Sequence, residues 1–216
     1  IENGVRFETS VDGQKTGWFY DHRAGRHWLN HWVRQSAAQG QPLSVLDLFS
    51  YIGGWGVQAA AHGAALVTCI DASAQACEQV NATAARLGLA QVSAIQADIF
   101  HWLKQPVTQQ YDVVVLDPPA LIQKRKDLRE GRQAYFTLNE AAIQRVKPGG
   151  LLISASCSSH LERSELILIL NQIARRQKKQ LQLVHEAHPA ADQPRLLTLP
   201  ETDYLKCLFL RVSVVE

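Results

Sequence analysis

The chain has no methionine among its 216 residues. It has four cysteines, Cys69, Cys77, Cys157 and Cys207, widely spaced and in no CxxC pair. That spacing excludes a zinc ribbon or finger and gives no disulfide framework of the kind small secreted domains use. A reducing, cytoplasmic setting is the expectation. Leu166 to Ile173, the best apolar run, is too short to span a bilayer, and no charged leader with a cleavage site is seen. There is no internal repeat and no low-complexity linker. Charge is close to balanced, at +2 net, which permits a nucleic-acid partner without demanding one. A chain starting at Ile1 and lacking methionine is expected to be part of a longer protein, with a further N-terminal domain preceding it.

Apolar residues make up 46% of the sequence, enough for one large core. Residues 4–20 read as a hairpin: Val5 to Glu8 alternates, Val11-Asp12-Gly13 supplies a turn, and Thr16 to Tyr20 is β-prone. Asp21 is a candidate N-cap for a helix running to about Gln39, which Gly40-Gln41-Pro42 stops. From residue 43 strands alternate with helices. The strands are expected at Leu43–Leu48, Leu66–Ile70, Val92–Ile95, Tyr111–Leu116, Leu151–Ser156, Leu181–Glu186 and Lys206–Val212. The helices are expected at 55–62, 73–86, 98–103, 131–146 and 160–179. Short apolar strands between helices predict an α/β fold, a mostly parallel sheet with helices on both faces. The expected organisation is an N-terminal hairpin and helix, 1–40, and a main domain, 41–216.

In such sheets ligands sit beyond the carboxyl ends of the strands. The first five ends carry Asp47, Asp71, Asp98, Asp117-Pro118-Pro119 and Ser156-Cys157-Ser158. The stretch Leu46-Asp47-Leu48-Phe49-Ser50-Tyr51-Ile52-Gly53-Gly54-Trp55-Gly56 reads as strand, glycine-bearing turn and helix start, a cofactor cradle. Gly54-Trp55-Gly56-Val57-Gln58-Ala59 matches G-x-G-x-x-A, with Asp71 as a ribose acid. Against a dinucleotide stands the loop before it, longer than a pyrophosphate turn, and no nicotinamide-side pair is visible. S-adenosylmethionine (SAM) has no pyrophosphate and explains more. Asp71 can accept from both ribose hydroxyls, and Asp98 from the adenine amino group, with Ile99 and Phe100 packing the ring. Each acid alone is better read as a helix N-cap; three after three successive strands form a pattern.

These residues resemble the class I SAM-dependent methyltransferases, and more closely the RlmI-like group of ribosomal RNA large-subunit cytosine-5 methyltransferases. The landmarks are Gly13 to Arg23, Leu46 to Gly56, Asp117-Pro118-Pro119-Ala120, Tyr135 with Leu138-Asn139, Pro148-Gly149-Gly150, Ser156 to His160, and Pro200-Glu201 with Tyr204-Leu205-Lys206. The resemblance covers nearly the whole chain. It implies a seven-stranded Rossmann-like methyltransferase fold preceded by a β-hairpin, SAM as methyl donor and ribosomal RNA as partner. It also implies a PUA domain ahead of the hairpin. The cofactor set it implies is Asp47, Phe49, Ser50, Tyr51, Gly53, Gly54, Asp71, Ala72, Asp98, Ile99 and Asp117. Lys15, Thr16, Asp21 and Arg23 are expected to close over the SAM tail. The chain departs from the pattern at Trp55, where Phe is frequent, at Leu121, where an aromatic is frequent, and at Asp192-Gln193-Pro194, where Asp-His-Pro is common.

Cys157 is the candidate nucleophile. A thiolate adding to carbon 6 of a cytosine makes carbon 5 nucleophilic enough to take a methyl group. Its position just past a strand end, beside a helix start expected at His160, suits an anion. His160 is a weaker candidate, as base for the carbon-5 proton. Cys69, Cys77 and Cys207 read as buried small apolar residues. Asp117-Pro118-Pro119 makes a rigid turn at which Asp117 can face the target base. Ala120 follows, where amino-group methyltransferases place an aromatic, which favours carbon over exocyclic amine chemistry. A target base must leave its stack first, so a loop or locally opened site is expected. Lys124, Arg125, Lys126, Arg129 and Arg132 are candidates for RNA phosphate contact, or else a solvated loop. Arg175-Arg176 and Lys178-Lys179 read as closing the long helix. Two alternatives remain at this level: methylation of another RNA position, such as a guanine nitrogen, with Cys157 structural; or a non-catalytic SAM-fold RNA-binding assembly factor.

Overall fold

The structure, a computed structural model, describes residues 1–9 and 17–215. Seven strands form one mixed sheet in the order β3-β2-β1-β4-β5-β7-β6. They are β1 (Ser44–Leu48), β2 (Leu66–Asp71), β3 (Val92–Gln96), β4 (Tyr111–Leu116), β5 (Val146–Ser156), β6 (Lys179–Glu186) and β7 (Lys206–Val214). The helices are α1 (Arg23–Ala38), α2 (Gly56–Ala61), α3 (Ala74–Arg86), α4 (Ile99–Leu103), α5 (Leu128–Gln144) and α6 (Arg163–Arg176). This is the Rossmann-like α/β sheet expected from the sequence, and the seven strands and the helices expected from residue 43 onward are present. By contacts the chain divides into two units, one of residues 1–98 with 188–194, the other of 99–187 with 195–216. Residues 1–40 lie wholly in the first.

In the first unit β1, β2 and β3 pair in parallel register, Asp47 opposite Cys69 and Ile70 opposite Ile95. Val45, Leu46, Leu48, Val67 and Ile70 are fully buried, as a strand covered on both faces requires. The α3 helix begins at an N-cap, Ser73, whose hydroxyl accepts from the Ala76 N–H. The N-terminal arm is tied down by a buried carboxylate. Glu2 accepts from Arg26, from Gln58 Nε2 at 2.9 Å and from Trp18 Nε1 at 2.8 Å. Burial pushes the Glu2 carboxyl up, but the Arg26 charge and these bonds outweigh it and hold it below its ordinary value.

The centre of the expected hairpin, residues 10–16, lies outside the described residues. In its described flanks the one β-bridge joins Glu2 to Val5, and the arms meet instead through the Phe7 and Trp18 rings, 4.5 Å apart. Asp21 does not act as an N-cap. It sits inside a 3-10 turn, Tyr20–His22, that leads into α1, and its carboxylate accepts from Gln193 Nε2 at 2.5 Å.

In the second unit β4 and β5 are parallel, while β7 runs antiparallel to both β5 and β6. The α5 and α6 helices pack on each other, α5 also against β4 and β5, and α6 against β6. Two expectations about α6 are corrected. It starts at Arg163 rather than at His160, because Glu162 and Glu165 form a capping box there. It also ends at Arg176: Lys178 takes the left-handed φ of 51° and Lys179 begins β6. The Lys179 ammonium donates to the Ile143 carbonyl at 3.0 Å, satisfying the end of α5 rather than its own helix. Among the described residues no helix is long and apolar enough to cross a membrane.

Candidate functional site

The loop after β1 has an unusual backbone. Phe49 and Tyr51 carry φ values of 61° and 49°, and Gly53 one of 82°. Left-handed backbone costs a residue with a Cβ about 1 kcal/mol or more, so two such residues in three mark a loop held for a purpose. Several bonds hold it. The Ser50 N–H donates to the Ile70 carbonyl at 3.0 Å, and the Gly53 N–H to the Ser50 carbonyl at 2.8 Å. The Tyr51 N–H donates to Asp71 Oδ2 at 2.8 Å. Burial, reinforced by the Asp71 charge, raises the Tyr51 phenol above its ordinary value.

Asp47 and Asp71, alike in sequence, do different work. Asp47 is 0% exposed, and its Oδ2 accepts the Gly56 N–H at 2.8 Å, satisfying the first turn of α2 from beneath. Gly56 is needed at that junction. A Cβ there would stand 2.6 Å from Cys69 Sγ and 3.2 Å from Asp47 Oδ2. Asp71 is half-buried at the end of β2, with Oδ1 accepting the Ser73 N–H at 2.9 Å. Each Asp71 oxygen keeps acceptor capacity beyond these backbone bonds, as a ribose diol requires. Ala72 and Asp98 are exposed, and Ile99 is buried. Gly54 leaves room above the loop: a Cβ there would meet Arg26 and Trp18 only at 3.6 Å, ordinary contact. Asp21 and Arg23 are held by the 188–194 segment, Arg23 pairing with Asp192 at 2.5 Å. Lys15 and Thr16 lie outside the described residues. Strained loop, half-buried Asp71 and exposed Asp98 together fit SAM.

The second unit carries the thiol. Asp117, half-buried, follows β4, and the Pro118 carbonyl accepts from the Cys157 Sγ at 4.0 Å. Cys157 is half-exposed, whereas Cys69, Cys77 and Cys207 are buried, which is the division expected from the sequence. Burial pushes the Cys69 thiol well up, as befits an inert cysteine.

The turn bearing Cys157 is held by groups that sequence reasoning assigned no role. Tyr135 on α5 is 0% exposed; its hydroxyl accepts from Ser156 Oγ at 2.8 Å and bonds Ser158 Oγ at 3.0 Å. Ser158 Oγ also accepts the Ile122 N–H at 3.1 Å, joining the proline turn to the cysteine turn. Burial raises the Tyr135 phenol, which therefore stays neutral. Lys206, first residue of β7, donates to the Ser158 carbonyl at 2.6 Å. Tyr135 and Lys206 were visible as landmarks, but no local pattern ties either to Cys157; the bonds join residues 21 to 48 positions apart. His160 is half-exposed in the following turn.

Of the basic cluster, Lys124 is exposed, Arg125–Asp127 forms a 3-10 turn leading into α5, and Arg129, also exposed, lies in the first turn of α5. Arg132 differs: it pairs with Glu165 at 2.9 Å. Among the described residues no three His, Cys, Asp or Glu side chains are grouped to hold a metal ion.

The Rossmann-like sheet, with an acid-anchored loop at the end of β1, defines a nucleoside-cofactor-binding architecture. The particular family follows from comparison: the model of the S-adenosylmethionine-dependent methyltransferases matches residues 1–203, and the chain belongs to that family. It is 35% identical to a "Ribosomal RNA large subunit methyltransferase" of Deinococcus radiodurans, over 98% of this chain and 51% of that protein. It is 34% identical to "Ribosomal RNA large subunit methyltransferase I" of Shewanella denitrificans, over 98% and 53%. The chain thus spans about half the length of the curated relatives it matches. Among solved structures it is similar to SMU.776 complexed with SAH, with a TM-score of 0.82 at 22% identity, covering 98% of this chain and 55% of that one. Trm5b from Pyrococcus abyssi gives 0.71 at 15% identity, covering 99% and 55%. These likenesses support the fold; the cofactor, SAM, follows from the family.

Proposed function

We propose that the chain is the catalytic part of a ribosomal RNA methyltransferase acting at carbon 5 of a cytosine in the large subunit, through a covalent adduct to Cys157. The observation that carries this reading is the half-exposed Cys157 thiol at the Pro118 carbonyl, in a turn held by Tyr135 and Lys206. A purely structural cysteine needs no such scaffold. The names of the relatives support ribosomal RNA as substrate.

Asp71 and the Phe49–Gly54 loop would hold the ribose and the tail of SAM, and Asp98 with Ile99 the adenine. Asp47 positions that loop from beneath. Bound SAM supplies an electrophilic methyl group. The Cys157 thiolate would add to carbon 6 of the cytosine, the electron pair of the 5,6 double bond moving to carbon 5, which takes the methyl group as its bond to the donor sulfur breaks and S-adenosylhomocysteine leaves. Loss of the carbon-5 proton to a base then restores the double bond and expels the thiolate. His160, three residues on, is the candidate base, and Asp117 the candidate partner for the polar edge of the cytosine. Lys124, Arg125, Lys126 and Arg129 would contact backbone phosphates, positioning without specifying.

The test is Cys157→Ala in the full-length protein. SAM binding by calorimetry should be unchanged, and the 5-methylcytosine that large-subunit ribosomal RNA loses in a deletion strain should not be restored by the variant. Retained methylation would overturn the cysteine route.

A further inference from the structure

The expected source of thiolate stabilisation is not where the sequence put it. A helix N-terminus beside Cys157 was to favour the anion, but α6 starts at Arg163, and its end already has two carboxylates, Glu162 and Glu165. A different positive group occupies the ground. Lys206 stands opposite Ser156 in the β5–β7 ladder, the neighbour of Cys157. Its side chain is 5% exposed, and its ammonium donates to the Ser158 carbonyl, on the other side of Cys157, at 2.6 Å. A lysine carries a strongly hydrated charge and is rarely buried without a counter-charge or a task.

The titratable groups around it come from every element packed there. Cys157 follows β5, Asp203 precedes β7, and Glu165 lies on α6; all three favour the charged lysine. Tyr135 on α5 reaches the same turn and is neutral. Asp203 pairs with Arg195 at 2.8 Å, and Glu165 with Arg132 at 2.9 Å, so each carboxylate has a guanidinium of its own. Burial lowers the Lys206 ammonium from its ordinary 10.5 to about 8. The cation is therefore costly where it sits, and a thiolate is the anion that would repay it.

Building on the reading of Cys157 as nucleophile, we propose that Lys206 is a positioning residue that holds the cysteine turn through the Ser158 carbonyl and favours the thiolate form of Cys157 by its charge. The lysine touches neither base nor methyl donor; it acts through the sulfur. Its charge also ties reactivity to pH. Below about pH 8 the cation is present; above it the support fades.

The experiment is the pH dependence of iodoacetamide alkylation at Cys157, resolved by mass spectrometry in the whole protein without RNA or SAM. Lys206→Met should raise the alkylation midpoint by about one pH unit, slowing reaction at neutral pH about tenfold. Lys206→Gln, which keeps a donor for the Ser158 carbonyl without the charge, should do the same and serves if the Met variant does not fold. Lys206→Arg should keep the wild-type midpoint or lower it. A Gln midpoint equal to wild type would overturn the proposal. Methyl transfer by Cys157→Ala fails independently of this readout, so loss of the nucleophile reading and loss of the lysine role are told apart.

Discussion

The Tyr51 N–H reaches Asp71 Oδ2 at 2.8 Å from a left-handed backbone, with φ at 49°. The cradle loop after one strand is thus locked to the acid after the next, and the carboxylate that would bind ribose also shapes the loop that would bind the rest of the cofactor.

Asp71→Asn should therefore lose on two counts. The amide cannot offer two charged oxygens to Tyr51 and Ser73 and still accept from a diol. A bond to a charged group contributes about 1.5–3 kcal/mol, so SAM affinity should fall roughly 10- to 100-fold. Calorimetry reads it; an unchanged affinity removes Asp71 from the site.

Gly56→Ala should destabilise the chain although alanine is the better helix former. The added Cβ meets Cys69 Sγ at 2.6 Å, against a fully buried strand. Overpacking of this kind costs about 1–3 kcal/mol, to be read as a lower urea midpoint. Adding Cys69→Ala should recover part of the loss, and no recovery would mean that the sulfur is not the obstacle.

Tyr135→Phe removes one oxygen and leaves two buried serine hydroxyls, Ser156 and Ser158, short of a partner. The expected cost is about 1–3 kcal/mol in denaturant unfolding. Methyl transfer should fall further than stability explains, because the same hydroxyls set the Cys157 turn. SAM affinity should hold, and its loss would count against a local effect.

Single alanine replacements at Lys124, Arg125 and Lys126 should weaken RNA binding at 50 mM salt and flatten its salt dependence by about 0.7 in logarithmic slope per lost contact on a single strand. Arg132→Ala should change the slope less, since its guanidinium is engaged by Glu165. An identical slope in all four variants would return the loop to plain solvation.

Local pattern made the alternation of strands and helices legible, because a strand buried on both faces must be a short apolar run and a helix must fill the interval. It also made the strand ends legible, and with them Asp71, Asp98, Asp117 and Cys157, since in a parallel sheet the ligand edge follows from chain direction alone. Where the signal was a single residue, it misled. Asp21 reads as a cap but bonds Gln193, and Lys179 reads as a helix end but begins a strand; capping depends on which group arrives from elsewhere in the chain.

What the sequence by itself determined is therefore the order of elements, the strand ends at which the candidate residues lie, and the family. Tertiary structure decided what each polar residue there does. Asp47 and Asp71 are both acids at strand ends, yet one is sealed under a helix and the other opens to the loop. Lys206 and Tyr135 are ordinary letters far from Cys157 until β7 and α5 bring them to its turn. The physical reason is range: periodicity and caps act within a few residues, whereas burial and electrostatics are set by neighbours that only folding supplies.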